Sequence, residues 1–198
     1  MKTFKQFIFK KIHTEARDIL PIGTISHQEA RKKIPKKLDQ DTINQYLKQG
    51  FAYVYRIEGF SMFLASLNRG IYYFFGDEND TKLNLGNCLI ANNKVHAAHL
   101  LGFNKKFILK KLNYYFDTPK HERSPEKENQ LINSFLSGNK SLGFYDQFDY
   151  YITSAAKNQG YDTIILSNEP TRRGKGSELI DLRSEVIPQS VETLQQED

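Results

Sequence analysis

One cysteine, Cys88, stands among 198 residues, and a lone thiol can neither close a disulfide within the chain nor build a thiolate cage for a metal. A reducing, cytoplasmic compartment is the expectation. Long apolar runs are missing too: none approaches the ~18 residues that suggest a membrane span, and the opening segment lacks the uninterrupted apolar centre of a secretory signal. Also absent are a Gly-x-x-x-x-Gly-Lys-Ser/Thr phosphate loop, a Gly-x-Gly-x-x-Gly turn after a strand and a His-Glu-x-x-His zinc motif. His96 and His99, three apart in "VHAAH", have no acidic third ligand nearby, so structural or surface roles are expected for them and no metal is. Cys88 has no identifiable base beside it and reads as a small buried residue. Internal repeats and low-complexity tracts are not found.

What the chain does contain is aromatic and basic. Hydrophobic residues make up 39% and charged residues 26%, with 14 Phe and 11 Tyr; disordered chains are poor in aromatics, so a globular fold follows. The length suits one compact domain with a small appendage. The net charge of +5 is compatible with a nucleotide, a nucleic acid or an anionic surface, and does not choose among them.

In "MKTFKQFIFKKIHTEARDIL", Phe4, Phe7, Ile8 and Ile12 fall at helical spacing against Lys5, Lys10 and Lys11, predicting a short basic amphipathic helix docked on the main fold. Ser26 opens "SHQE", a capping-box pattern for a second helix. Pro35 interrupts the basic run after it, and Asp41 to Lys48 forms a third helix closed by Gly50. The first fifty residues therefore read as helical and basic. The character changes at "GFAYVYRI" and "GIYYFF", whose aromatic and β-branched residues predict strands over Phe51 to Ile57 and Gly70 to Phe75. Further strands are expected at Phe107 to Leu112, Val95 to Leu101 and Tyr114 to Phe116. Helices are expected from Ser124-Pro125 to Gly138 and from Asp146 to Asn158. Two last strands, Thr163 to Leu166 and Leu179 to Leu182, flank a loop rich in Gly, Arg and Lys, and the tail is polar.

The basic run "RKKIPKK", Arg31 to Lys37, has the composition of a phosphate-contacting surface, and equally that of a solvated face with a Pro bend. Aromatic residues interleaved with lysine in "FILKKLNYYF" could stack bases, or simply alternate across a half-buried strand. Arg56, Tyr72, Tyr73 and Glu178 stand on predicted strands. Taken singly, such an Arg is usually an ion-pair residue and such a Tyr pair is usually packing.

The stretch "AAKNQGYDTIILSNEPTRRGKGSELIDLRSEVIP" resembles the C-terminal part of ADP-ribosyltransferase-like domains: a helix, a Gly-Tyr-Asp turn, a strand, a variable loop and a strand that opens with Glu. "YVYRIEG" is similar to the first core strand of that family's arginine-bearing class, and "GIYYFFGDEND" to the second. Together these cover about residues 51 to 188.

The resemblance implies an α+β fold with a split, mainly antiparallel sheet over residues 51–190, preceded by the basic helical region 1–50 and followed by a polar tail, 191–198. It implies NAD as substrate. Arg56 would hold the diphosphate or a ribose through its guanidinium fork. Tyr72 and Tyr73 would wall the nicotinamide. Glu178 would hydrogen-bond the nicotinamide ribose and face the oxocarbenium-like charge as the bond to nicotinamide breaks. The loop carrying Glu169, Arg172, Arg173, Lys175 and Ser177 would meet a macromolecular acceptor, protein or nucleic acid. The arginine-modifying members place a second acid two residues before the Glu, where this chain has Gly176, and their Ser-Thr-Ser strand has no counterpart beyond Ser61 and Ser66. The opening "MKTFKQFI" is similar to N-termini in proteins of large tailed phages, which would put the protein in a host cytoplasm or a virion. The rival expectation is a basic nucleic-acid-binding or virion-internal protein without catalysis. A third is a transferase fold retained for binding.

Overall fold

The computed structural model describes residues 22–57, 70–142, 146–171 and 174–183. The amphipathic segment from Phe4 to Ile12 and the polar tail lie outside the described residues. Strand β1 (Thr24–Ile25) leads into a single helical turn, α1 (His27–Ala30). There the expected capping box is formed: Ser26 N donates to Glu29 Oε2 at 2.9 Å and Glu29 N donates to Ser26 Oγ at 3.2 Å. Helix α2 (Gln40–Gln49) starts where the Asp39 carboxylate accepts the Thr42 N–H and stops at Gly50, whose φ of 77° is left-handed. Next come β2 (Phe51–Ile57), β3 (Ile71–Phe75), β4 (Thr81–Asn84) and β5 (Cys88–Ala91). A helical block connects β5 to its parallel neighbour: α3 (Lys94–Leu100), α4 (Lys105–Lys111), α5 (Tyr114–Asp117), a 3-10 turn (Lys120–Glu122), α6 (Pro125–Leu136) and α7 (Asp146–Asn158). The chain closes with β6 (Thr163–Leu166), the small pair β7 (Pro170–Thr171) and β8 (Gly174–Lys175), and β9 (Glu178–Asp181).

Seven strands form one mixed sheet in the order β1-β2-β3-β9-β6-β5, with β4 on β2. Only β1 with β2 and β5 with β6 run parallel; β2 with β3 and β4, β3 with β9, and β6 with β9 are antiparallel. The chain is thus an α+β protein with a mostly antiparallel sheet and, among the described residues, seven α-helices.

Successive side chains of a strand point to opposite faces, and the register carries that alternation across the sheet. Tyr72, Ile180 and Ile164 are aligned, as are Phe74, Glu178 and Leu166. This face packs under the helical block, where Ile164, Leu166 and Ile180 share a core with Phe148 and Ile152 of α7 and Val95 of α3. The opposite face carries Ile71, Tyr73, Phe75, Leu179 and Ile165, covered by Leu38 and by Ile43 of α2. The segment before β2 is therefore packed into the same core as the sheet.

Three segments expected as strands are helical. Val95 to Leu100 lies in α3 with Leu101 as its C-cap, Phe107 to Lys111 in α4 with Leu112 as its C-cap, and Tyr114 to Phe116 in α5. In the first two the deciding residues are asparagines: Asn93 Oδ1 accepts the His96 N–H and Asn104 Oδ1 accepts the Phe107 N–H, each satisfying an open donor of a first helical turn. In α4, Ile108 and Leu109 are buried while Lys106 and Lys110 are exposed, a helical rather than an alternating pattern. Cys88, expected to be buried, is half-buried on β5.

Gly70, entering β3, has a φ of 79°, and a Cβ there would stand 2.8 Å from the carbonyl oxygen of Asp181. Neither conformation nor space admits a side chain. Gly70→Ala is expected to cost about 1–3 kcal/mol, read as a lower denaturation midpoint in urea.

Candidate functional site

The carboxyl ends of the parallel strands β5 and β6 gather five polar side chains from five stretches of sequence. Past β5, Asn93 is fully buried; its Nδ2 donates to Phe135 O at 2.7 Å and to Lys140 O at 3.1 Å, which fixes the start of α3 against the end of α6. The next residue, Lys94, is therefore turned inward under the sheet. Past β6, Glu169 is buried and its Oε2 accepts the Lys94 backbone N–H at 3.0 Å. Because β9 runs antiparallel to β6, its first residue, Glu178, lies opposite Leu166 at this same end. Asp149 comes from α7, with Oδ1 2.8 Å from Lys94 Nζ. Tyr72 comes from β3, its ring 5.7 Å from Lys94 Nζ.

Lys94, Asp149, Glu169 and Glu178 are all buried. Among the described residues one ammonium thus faces three carboxyls, and ionising all three in a water-poor site is unfavourable. Burial pushes Glu178 up to about 7, with Asp149 adding to the rise and Lys94 opposing it. Burial pushes Glu169 up to about 8, with Lys94 pulling down and Glu178 and Asp149 pushing up. Tyr72 is pushed well above its ordinary value by burial and then by Asp149 and Glu178. Lys94 stays charged: burial lowers its pKa, but Asp149, Glu169 and Glu178 together outweigh burial and raise it. Around neutrality both glutamates are therefore inclined to hold a proton.

Three atoms of this cluster, Tyr72 Oη, Glu169 Oε1 and Asp149 Oδ1, are buried without a well-formed hydrogen bond. Asp149 Oδ1 is held by its ion pair with Lys94 at 2.8 Å. Buried polar atoms are rarely left unsatisfied in a site that serves packing alone. A carboxyl that titrates near neutrality beside a second one can give or take a proton, and once ionised can face a developing cation.

The residues anticipated from sequence divide between the two faces of the sheet. Tyr72 and Glu178 share the face under the helical block, with Glu169 beside them. Arg56 and Tyr73 lie on the opposite face, because Arg56 continues the register that pairs Val54 with Phe75 and Tyr55 with Phe74. There Arg56 is buried; burial lowers its pKa and Tyr73 raises it. Tyr73 is pushed up to about 12, by burial first and then by Asp181, against Arg56 and Arg183. The guanidinium and the Glu178 carboxylate thus do not converge.

Ser177 is not free to meet an acceptor. It is fully buried, accepts the Leu38 N–H at 2.8 Å and donates to Ser167 O at 2.7 Å, stapling the start of β9 to the end of β6. Ser177→Ala leaves a buried backbone donor unsatisfied and is expected to cost about 1–3 kcal/mol, read from urea denaturation. Lys175 lies on β8. Arg172 and Arg173 lie outside the described residues, as do Ser61 and Ser66. In the basic run, Lys33 is paired with Asp80 at 2.7 Å and Lys36 donates to Gly76 O at 2.7 Å. His96 Nδ1 accepts the Asn92 N–H at 3.1 Å, an internal structural contact.

Lys94 and Asp149 are the members that sequence reading misses. Each sits in an amphipathic helix where a charged residue is ordinarily solvated, and the available signal was the Asn-Asn-Lys turn directly after a short apolar run. Among the described residues, no group of His, Cys, Asp and Glu is arranged to hold a metal and no helix is long and apolar enough to cross a membrane.

No known protein family, curated protein or solved structure matches this chain.

Proposed function

We propose that the chain is an ADP-ribosyltransferase-like enzyme that cleaves the nicotinamide–ribose bond of NAD and passes ADP-ribose to a macromolecular acceptor or to water. The observation that carries the reading is Glu178, a buried acid at the first position of β9, held beside Tyr72 and a second acid, Glu169, with a pKa raised into the neutral range. An ionised carboxylate there would stabilise the sugar cation that forms as nicotinamide leaves. Glu169 would act as the partner acid that the position of Gly176 cannot supply, taking a proton from an acceptor hydroxyl or water where it is itself ionised, above about pH 8. Tyr72 would provide the aromatic wall, and Lys94 would hold Glu178 and Asp149 in place. The proposed site is accordingly narrowed: Arg56 and Tyr73, on the far face of the sheet, are not part of it, and the ART-type core is proposed for the sheet around β3, β6 and β9 alone.

The test is direct. Purified protein with NAD is expected to release nicotinamide, followed by chromatography, and to label an acceptor from NAD carrying a tagged adenine. Absence of both release and NAD binding would overturn the proposal. The rival nucleic-acid reading is weakened by Lys33 and Lys36, two of the four lysines of the basic run, which are engaged internally.

A further inference from the structure

Across the rim formed by the carboxyl ends of β5 and β6, beside the acidic cluster, opens a cleft of about 290 Å³. Asn92 and Ser167, each just past a parallel strand, Asn168 after them, Ser137 at the end of α6, and Lys37 and Gln40 at the entry to α2 line it. Leu38 and Ile43 add the apolar part of the wall. The walls are held by hydrogen bonds that do not depend on an occupant: Asn92 Nδ2 donates to Leu136 O at 2.7 Å, and Asn168 Nδ2 donates to Gly138 O. Both amides are thereby oriented, with their nitrogens committed to the end of α6.

The lining contains amides, hydroxyls and one cationic residue, and no carboxylate. Beyond those bonds each Nδ2 keeps one hydrogen to give, and the Gln40 carbonyl and the Ser137 and Ser167 hydroxyl oxygens add acceptors, a mixed set that suits a ring bearing vicinal hydroxyls. A single lysine without an opposing acid suits one anionic substituent. The volume stands near the lower end of small-molecule sites, room for one sugar unit with its phosphate and not for an extended ligand. The cleft lies outside the carboxyl ends of β5 and β6, the adjacent parallel pair at one edge of the sheet.

We propose that this cleft binds a pentose phosphate, either as a free nucleotide or as the phosphorylated end of a nucleic-acid strand. The inference goes beyond the NAD reading and stands on the lining alone.

The experiment measures binding of adenosine 5′-monophosphate, ribose 5-phosphate, adenosine and inorganic phosphate to the full chain by ligand-observed NMR and calorimetry. Ribose 5-phosphate and the nucleotide are expected to bind, with adenosine at least about 10-fold weaker because it lacks the phosphate. Ser137 is exposed at the cleft wall, so Ser137→Trp fills the cleft from the solvent side and is expected to abolish binding while leaving the melting curve unchanged. Lys37→Ala is expected to bring the nucleotide down to the affinity of adenosine, and carries the test if the tryptophan variant does not fold. A 5′-phosphorylated dinucleotide bound as tightly as the mononucleotide supports the strand end; mononucleotide binding alone supports the free nucleotide. Failure of both phosphorylated sugars to bind at millimolar concentration, or binding unaltered by both substitutions, overturns the inference. Nicotinamide release from NAD that persists in Ser137→Trp keeps the catalytic proposal separate from this one, whichever way the binding falls.

Discussion

Glu178→Gln is expected to lower nicotinamide release from NAD by at least about 100-fold and, at pH 8, to leave the fold as stable as before or more so. The amide keeps the size of the side chain and loses the charge that would face the sugar cation. Its effect on stability follows from the raised pKa. Folding lifts the Glu178 carboxyl from 4.5 to about 7, so the folded state keeps a proton that the unfolded chain has already released. The native protein is then most stable with respect to this group below pH ~4.5, loses stability as pH rises from there to ~7, and carries the full penalty above, on the order of 3 kcal/mol for such a shift. The glutamine variant has no such group to ionise, so its urea midpoint is expected to fall less between pH 5 and pH 8 than that of the native chain. Undiminished nicotinamide release would remove Glu178 from the proposed chemistry. An equal pH slope in both proteins would show that its carboxyl does not titrate in that window.

Lys94→Met is expected to destabilise the fold by about 3–5 kcal/mol at pH 8, because it strips the cluster of its ammonium and leaves Asp149, Glu169 and Glu178 facing one another with none of the compensation that Lys94 supplies. The loss should be smaller at pH 5.5. There the two glutamates, already inclined to hold protons and released from the lysine that pulls their pKa values down, become neutral. Adding Asp149→Leu to Lys94→Met removes the other partner of the pair and should recover much of the stability, since replacing both partners of a buried pair by apolar groups costs far less than orphaning one. Urea denaturation of the single and double variants at the two pH values reads all of this. A destabilisation that is the same at both pH values and unrelieved in the double variant would mean that Lys94 acts by packing its stem rather than by its charge.

The predicted strands that hold are those whose local composition and long-range fate agree. Phe51 to Ile57 and Ile71 to Phe75 are aromatic and β-branched, and both lie inside the sheet. Gly50 closes α2 as expected, while the helix starts at Gln40, one residue before the expected Asp41, because Asp39 caps it. The segments misread as strands share a different property: "FILKKL" is apolar and short enough to suit either period, and a single upstream asparagine decides the matter by capping the first turn. β5, four residues long, carries too little pattern to be seen alone, yet it supplies the parallel partner of β6 and so the rim on which both the acidic cluster and the cleft are built.

Glu178 is legible from its place at the head of a strand, and Tyr72 from its place in β3. Arg56 and Tyr73 are tied to them only by order along the chain, which says nothing about side: one residue's difference in register parity puts a side chain on the other face of a sheet.

By itself, then, the sequence determined which stretches are strands or helices wherever periodicity, caps and turn residues spoke together, because those signals are local and act through the nearest few residues. Tertiary structure alone decided that Lys94 and Asp149 join Glu169 and Glu178 in one buried cluster while Arg56 faces away. That outcome depends on the order and parity of strands far apart in the chain, and on desolvation, which no residue can express until its neighbours have closed over it.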